Sequence, residues 1–175
     1  MNYFQLFGID ESFDVDLNQL SDLYQTLQKK VHPDRFAHAT SQEQLLAVQK
    51  SALINDAYQT LKDPLKRGEY LLTIRKVAMP SEQASYGDTP FLMRQMELRE
   101  MLEDIKFSSN IDDALVNAQQ ELSAEYQQIF SSMQAQINEN STASNALACD
   151  NLRKLKFYQK LNIELERIED NLFDD

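Results

Sequence analysis

Glycine, proline, cysteine and tryptophan are scarce in this chain. Its 175 residues include 3 Gly, 4 Pro, 1 Cys and no Trp. So few turn formers argue against an all-β fold, which needs a reversal every few residues. The one cysteine, Cys149, excludes an internal disulfide and any metal site built on several thiolates. A lone Cys in a helical segment more often serves packing than chemistry. The two histidines, His32 and His38, have no companion ligands at metal spacing, so neither a metal nor a cofactor is expected. No apolar run is long enough to span a bilayer. The opening Met1-Asn2-Tyr3-Phe4 lacks the basic and apolar regions of a signal peptide, and it is not the Arg- and Ser-rich start of a transit peptide. The expected location is therefore the cytosol. Gly-rich phosphate loops, Gly-x-Ser-x-Gly elbows and Cys–His pairs are missing too. Glu97 and Glu100 could be drawn as an acid/base pair, but no pocket feature accompanies them. An enzyme reading has little support.

What the chain does hold is helix formers: Leu, Gln, Glu, Ala and Lys are plentiful. An all-α protein is the expectation. The net charge is −11, and it is unevenly spread. Residues 1–80 carry 9 Lys/Arg and 10 Asp/Glu, or −1, while residues 81–175 carry 8 and 18, or −10. An acidic second half repels a phosphate backbone, which argues against nucleic acid as a partner. It suits a basic or metal-carrying protein better, although solubility alone accounts for it equally.

The stretch Val31-His32-Pro33-Asp34-Arg35 interrupts the first helical pattern. Proline cannot continue a helix and pushes the preceding residue out of the α region. The upstream helix, from about Leu17 to Val31, should therefore stop near His32. Asp34 can then bond nearby backbone N–H groups and set the turn. Such a loop presents an imidazole and a carboxylate to solvent. Gln28, Lys29 and Lys30 precede it, where cations suit the negative end of a helix dipole. With Arg35 they form a small basic patch. Position alone leaves open whether that patch is a solvated turn or a docking site.

The rest of the first half reads as short helices around a longer one. Tyr3, Phe4, Leu6, Phe7 and Ile9 form an apolar cluster closed by Gly8, one or two helical turns long. Asp16 or Asp14 can cap the Leu17 helix. Phe36 to Thr40 is a loop. Ser41 with Gln44 fits a capping box for a helix running to Lys62, where Asp63-Pro64 ends it. A further helix spans about Leu65 to Val77. Domain boundaries are expected at 1–77, a linker at 78–88 with Pro80, Ser81, Ser85 and Gly87, and a second domain over 89–175.

The second domain should be a three-helix bundle. At about 100° per residue, Leu98, Leu102 and Ile105 fall within about 40° of Phe91 and define a core face. Leu92, Met96 and Met93 fall at about 100°, 140° and 200°. Glu97, Glu100, Glu103 and Asp104 share that outer side. Either α-helical faces are both buried in the bundle, or the outer one is an exposed apolar patch ringed by carboxylates, a pattern that marks partner sites. Charged residues are seldom buried unpaired, which favours exposure. The next helix, about Asp112 to Asn138, keeps a 3-4 spacing from Ile111 through Leu122 to Ile137. Asn138 to Asn145 reads as a turn. The last helix, about Ala146 to Phe173, turns Leu155, Tyr158, Leu161 and Leu165 inward. Phe157 sits at the edge of that stripe among Arg153, Lys154, Lys156 and Lys160.

An antiparallel helix pair joined by His32-Pro33-Asp34 resembles a J-domain, and the whole chain is similar to the HscB family of iron–sulfur co-chaperones. The residues that carry this include Tyr3-Phe4-x-Leu6-Phe7-Gly8, Val31-His32-Pro33-Asp34-Arg35-Phe36 and Ala52-x-Ile54-Asn55-x-Ala57-Tyr58. Arg67-x-Glu69-Tyr70-Leu71-Leu72, Phe91-Leu92-Met93-x-Gln95-Met96-Glu97-Leu98-Arg99-Glu100 and Arg153-Lys154-Leu155-x-Phe157 continue the match. The resemblance implies a co-chaperone that stimulates the ATPase of an HscA chaperone of the DnaK class. It would also deliver the scaffold IscU for cluster transfer. His32, Pro33 and Asp34 would make the essential chaperone contacts, with Gln28, Lys29, Lys30 and Arg35 adding electrostatic docking. Leu92, Met93, Met96, Glu97, Glu100, Asp104 and Phe157 would hold the scaffold. Arg35 replaces the family's usual lysine, and Met96 its usual leucine. The chain begins directly at the J-domain, without the cysteine-rich extension of some eukaryotic relatives, which fits a bacterial cytosolic form. The alternative is a general J-protein that delivers unfolded clients.

Overall fold

The computed structural model describes residues 1–79 and 87–174, and among them are seven α-helices and no strand. Most of the expected linker, residues 80–86, lies outside the described residues. The chain divides into two compact units, Met1–Lys76 and Val77–Asp175. No helix among the described residues is long and apolar enough to cross a membrane.

The first unit holds α1 (Tyr3–Phe7), α2 (Leu17–Val31), α3 (Ser41–Lys62) and α4 (Pro64–Ile74). Five residues cannot hold a helix by themselves, and α1 is fixed at both ends. Asn2 and Gln5 form a capping box, and Gly8 closes the helix with φ at 66°, which glycine adopts without steric cost. Tyr3 stacks on Tyr70 with centroids 4.5 Å apart, and its N–H donates to the Tyr70 hydroxyl at 2.8 Å. Thus α1 plugs onto α4. Asp16 caps α2 by accepting from the N–H groups of Asn18 and Gln19. Phe4, Phe13, Leu20, Leu61, Leu71 and Leu72 are fully buried, each contributing about 1.5–3 kcal/mol.

One charge sits in that core. Arg67 is buried, and its Nε and Nη1 donate to the carbonyls of Phe13 and Leu61 at 2.6 and 2.7 Å. Its guanidinium also lies 4.9 Å from the Phe13 ring centroid. Burial lowers it below the ordinary arginine value, against the pull of Asp14 and Asp63. These bonds tie the loop before α2 to the end of α3 through a side chain of α4.

Three local expectations are corrected. The cap of α3 is Thr40, whose hydroxyl accepts from the Glu43 N–H at 3.2 Å; Ser41 is already helical. Gln44 instead donates to the Phe36 and Ala37 carbonyls, fastening the loop before the helix. The fourth helix ends at Ile74 rather than Val77, with Lys76 in the left-handed region at φ 60°. In the second unit, the last helix starts at Thr142 rather than Ala146. Asn140 takes the left-handed conformation, φ 53°, and Ser141 forms a capping box with Ser144. The polar run was a helix start, because Ser and Asn suit caps as well as turns.

The second unit contains α5 (Thr89–Asp104), a 3₁₀ turn (Ile105–Phe107), α6 (Ile111–Glu139) and α7 (Thr142–Phe173). Phe91, Leu98, Leu102 and Ile105 pack with Leu115, Ala118, Leu122, Tyr158, Leu161 and Leu165 in one cluster. With 16 residues against 29 and 32, α5 covers only part of the hairpin made by its neighbours. Met133, Ile137, Cys149 and Leu152 are buried further along it. Burial pushes the Cys149 thiol up, and its sulfur lies 3.5 Å from that of Met79.

Candidate functional site

The proline loop is built by the two helices that meet there. Tyr24 of α2 stacks on Tyr58 of α3 at 4.2 Å. Gln28 and Ser51 bond reciprocally: the Gln28 amide donates to the Ser51 carbonyl at 3.0 Å, and the Ser51 hydroxyl donates back at 2.8 Å. His32 ends α2, and Pro33–Phe36 continue as a 3₁₀ turn. The turn is set by the imidazole rather than by the expected carboxylate. His32 Nδ1 accepts from the Asp34 N–H at 3.2 Å. The Asp34 carboxylate lies 3.5 Å from the same Nδ1 and is 92% exposed.

His32, Pro33, Asp34, Arg35, Lys29 and Lys30 are all exposed, whereas Gln28 is half-buried. A groove of about 690 Å³ between α2 and α3 brings four of the seven together: Gln28, Lys29, His32 and Pro33 line it. Lys30, Asp34 and Arg35 lie outside it. Sequence reasoning missed its opposite wall, Val48, Ser51, Ala52 and Asn55, because only the packing of α3 on α2 brings those positions to the loop.

The outer face of α5 follows the helical count. Met93 and Met96 are 58% and 71% exposed, Leu92 is half-buried, and Glu97, Glu100 and Asp104 are exposed. Phe157 is not on this face but at its α7 flank. Its ring meets Phe91 edge-on at 5.5 Å, and the Arg99 guanidinium lies 5.5 Å from its centroid. Arg99 also binds both oxygens of Glu164 at 3.0 and 3.1 Å. Glu97 is drawn to the opposite flank by Arg94, which reaches Glu97 at 2.9 Å and the α6 carboxylates Glu121 and Glu125. Burial alone would lower the Arg94 guanidinium; hydrogen bonds to Glu121, Glu97 and Glu125 outweigh it and raise it. Tyr158 donates to Glu125 at 3.1 Å, and burial together with that carboxylate pushes its phenol up to about 12.

At the start of α5, Asp88 caps the helix and Arg153 and Lys154 gather around it. Arg153 lies 3.4 Å from Asp88 and 2.6 Å from Asp150, and both cations sit over the Phe91 ring. Burial would raise the Asp150 carboxyl, but Arg153 and Lys154 hold it below the usual range. The contacts of Arg94 with Glu121 and Glu125, of Arg99 with Glu164 and of Arg153 with Asp88 are beyond the reach of local spacing, unlike the i,i+3 pairs with Glu97 and Asp150. Among the described residues no group of three His, Cys, Asp or Glu side chains is placed to hold a metal ion.

An exposed His-Pro-Asp loop between paired helices, followed by an all-α bundle, defines a J-domain co-chaperone. Models of known families agree with that class. The DnaJ domain model matches residues 2–70, and the HSCB C-terminal oligomerisation domain model matches residues 87–166. A co-chaperone protein HscB homolog of Colwellia psychrerythraea is 69% identical over the full length of both chains. The homolog of Shewanella oneidensis is 46% identical over 99% of this chain and 100% of its own. Among solved structures, chaperone HscB from Vibrio cholerae superposes with a TM-score of 0.94 at 45% identity, covering 98% of this chain and 100% of that one. Human co-chaperone protein HscB gives 0.84 at 29% identity, covering 100% and 84%. The chain belongs to the HscB co-chaperone family.

Proposed function

We propose that this protein is a cytosolic two-site adaptor, with a J-domain over residues 1–77, a linker at 78–88 and a scaffold-binding bundle over 89–175. The first site docks on an HscA-type chaperone of the DnaK class and stimulates its ATPase. The second holds the IscU scaffold and brings it to the chaperone for transfer of the iron–sulfur cluster. The observation that supports this reading is the contrast in surface chemistry between two compact units. One exposes His32, Pro33 and Asp34 beside Lys29, Lys30 and Arg35, and is nearly neutral. The other exposes Met93 and Met96 among Glu100 and Asp104, and carries −10 of the net charge.

Each site acts by binding rather than by making or breaking a bond. At the first, Lys29, Lys30 and Arg35 steer the loop towards an acidic chaperone surface, and Gln28 braces α2 against α3 behind them. Preferential binding to the hydrolysing conformation shifts the chaperone's equilibrium towards it. At the second, Leu92, Met93 and Met96 supply adaptable apolar contact. Glu97, Glu100 and Asp104 attract a basic partner, and Phe157 closes the α7 flank. Joining both partners on one chain raises their effective concentration.

The test is a pair of substitutions read in two assays. His32→Gln should abolish stimulation of the chaperone and leave IscU affinity unchanged. Leu92→Ala with Met96→Ala should weaken IscU binding by tenfold or more, on the order of two lost apolar anchors, and leave stimulation without IscU intact. If each variant, still folded, weakened both activities equally, the two-site reading would be wrong. Binding of denatured peptides that ignores Leu92, Met93 and Met96 would instead support a general J-protein.

A further inference from the structure

We propose that the scaffold-binding surface does not end at Asp104 but turns the corner into a groove between α5 and α6, which receives an apolar side chain of the same basic partner. This rests on the reading of the α5 face given above. The groove has a volume of about 310 Å³. Met101, Ile105, Ala114 and Ala118 give it an apolar lining, and Asp104 and Asn117 its polar edge. Asp104 therefore belongs to both surfaces, the outer face of α5 and the rim of the groove.

Charge and exposure favour this occupant. Arg94 is shared by Glu97, Glu121 and Glu125, and Arg99 pairs with Glu164. Among the described residues no cation pairs with Glu100, Glu103 or Asp104. Glu100 and Asp104, four residues apart on α5, thus form an acidic run that ends at the groove. Phe107, next in sequence to the groove residue Ser108, is 77% exposed, with the Lys106 ammonium 5.0 Å from its ring centroid. An apolar slot edged by the Asp104 carboxylate fits a protein segment that inserts an aliphatic side chain and keeps a Lys or Arg outside. A free small molecule would find little enclosure there, since Asn117 and Asp104 are both exposed.

The experiment is calorimetric titration of IscU into the full chain carrying Asn117→Trp, which lays an indole across the groove from an exposed helical position. The scaffold's Kd is expected to rise about tenfold, the scale of one lost aliphatic anchor, while chaperone stimulation without IscU stays at its unsubstituted level. Leu92→Ala with Met96→Ala serves as the control. If that control weakens binding and Asn117→Trp does not, the groove inference is overturned and the α5 reading stands. If the control binds normally, the α5 reading fails and takes the groove with it. Should Asn117→Trp lose its helical circular dichroism, Met101→Gln decides. It makes the lining polar, and unchanged affinity would overturn the inference.

Discussion

His32 carries more of the local structure than its exposure suggests. Its Nδ1 accepts the Asp34 N–H, so the imidazole both ends α2 and shapes the turn that displays it. The sequence places the helix end and the turn at this tripeptide but assigns the turn-setting bond to Asp34, since short carboxylates cap turns more often than imidazoles do. Tyr158 offers a measurable electrostatic contribution. An unperturbed phenol titrates near 10, and in the fold Tyr158 is pushed up to about 12. The folded state therefore holds the proton more tightly. The contribution is full below pH 10 and is lost as pH rises through about 12. Two pKa units set an upper bound of about 2.7 kcal/mol. Chemical denaturation at pH 8 and at pH 11.5 should thus show a steeper loss of stability for the unsubstituted chain than for Tyr158→Phe. Equal losses would mean that burial and the Glu125 carboxylate do not raise the Tyr158 phenol in the fold.

At the scale of elements, periodicity was the most legible signal and caps the least. The count along α5 placed Phe91, Leu98, Leu102 and Ile105 inside and Met93 and Met96 outside, and the structure agrees. A helix face is a property of one element, so one sequence window suffices. Caps turn on a single residue. Thr40 and Ser41 both satisfy the rule for α3, and only the backbone conformation of Thr40, extended at φ −67° and ψ 158°, decides between them. Thr40→Ala should lower stability by about 1 kcal/mol, whereas Ser41→Ala, at the first helical position, should change it by less than about 0.5 kcal/mol. Thermal denaturation of the two variants distinguishes them. The start of α7 was misplaced for the same reason: Ser141, Thr142 and Ser144 suit a turn and a helix start alike.

At the scale of the whole molecule, the division into a near-neutral unit and an acidic one was visible from charge counts alone. The braces around the two faces were not. Arg94 meets Glu121 and Glu125 across α6, and Arg99 meets Glu164 across α7. No spacing rule links positions that far apart in the chain. The grooves beside His32 and Asp104 were hidden likewise, since each has walls from two helices. The roles proposed for the exposed residues rest on family resemblance, and the fold supplies their surroundings. The central claim, one chain that couples two partners, is most directly tested by ATP turnover of the cognate HscA-type chaperone. Turnover would be measured with this protein, with IscU, and with both. The expected result is a rise with this protein alone that grows well beyond additivity when IscU joins. A rise indifferent to IscU would contradict the coupling, and no rise at all would leave the His32-Pro33-Asp34 loop a turn and nothing more.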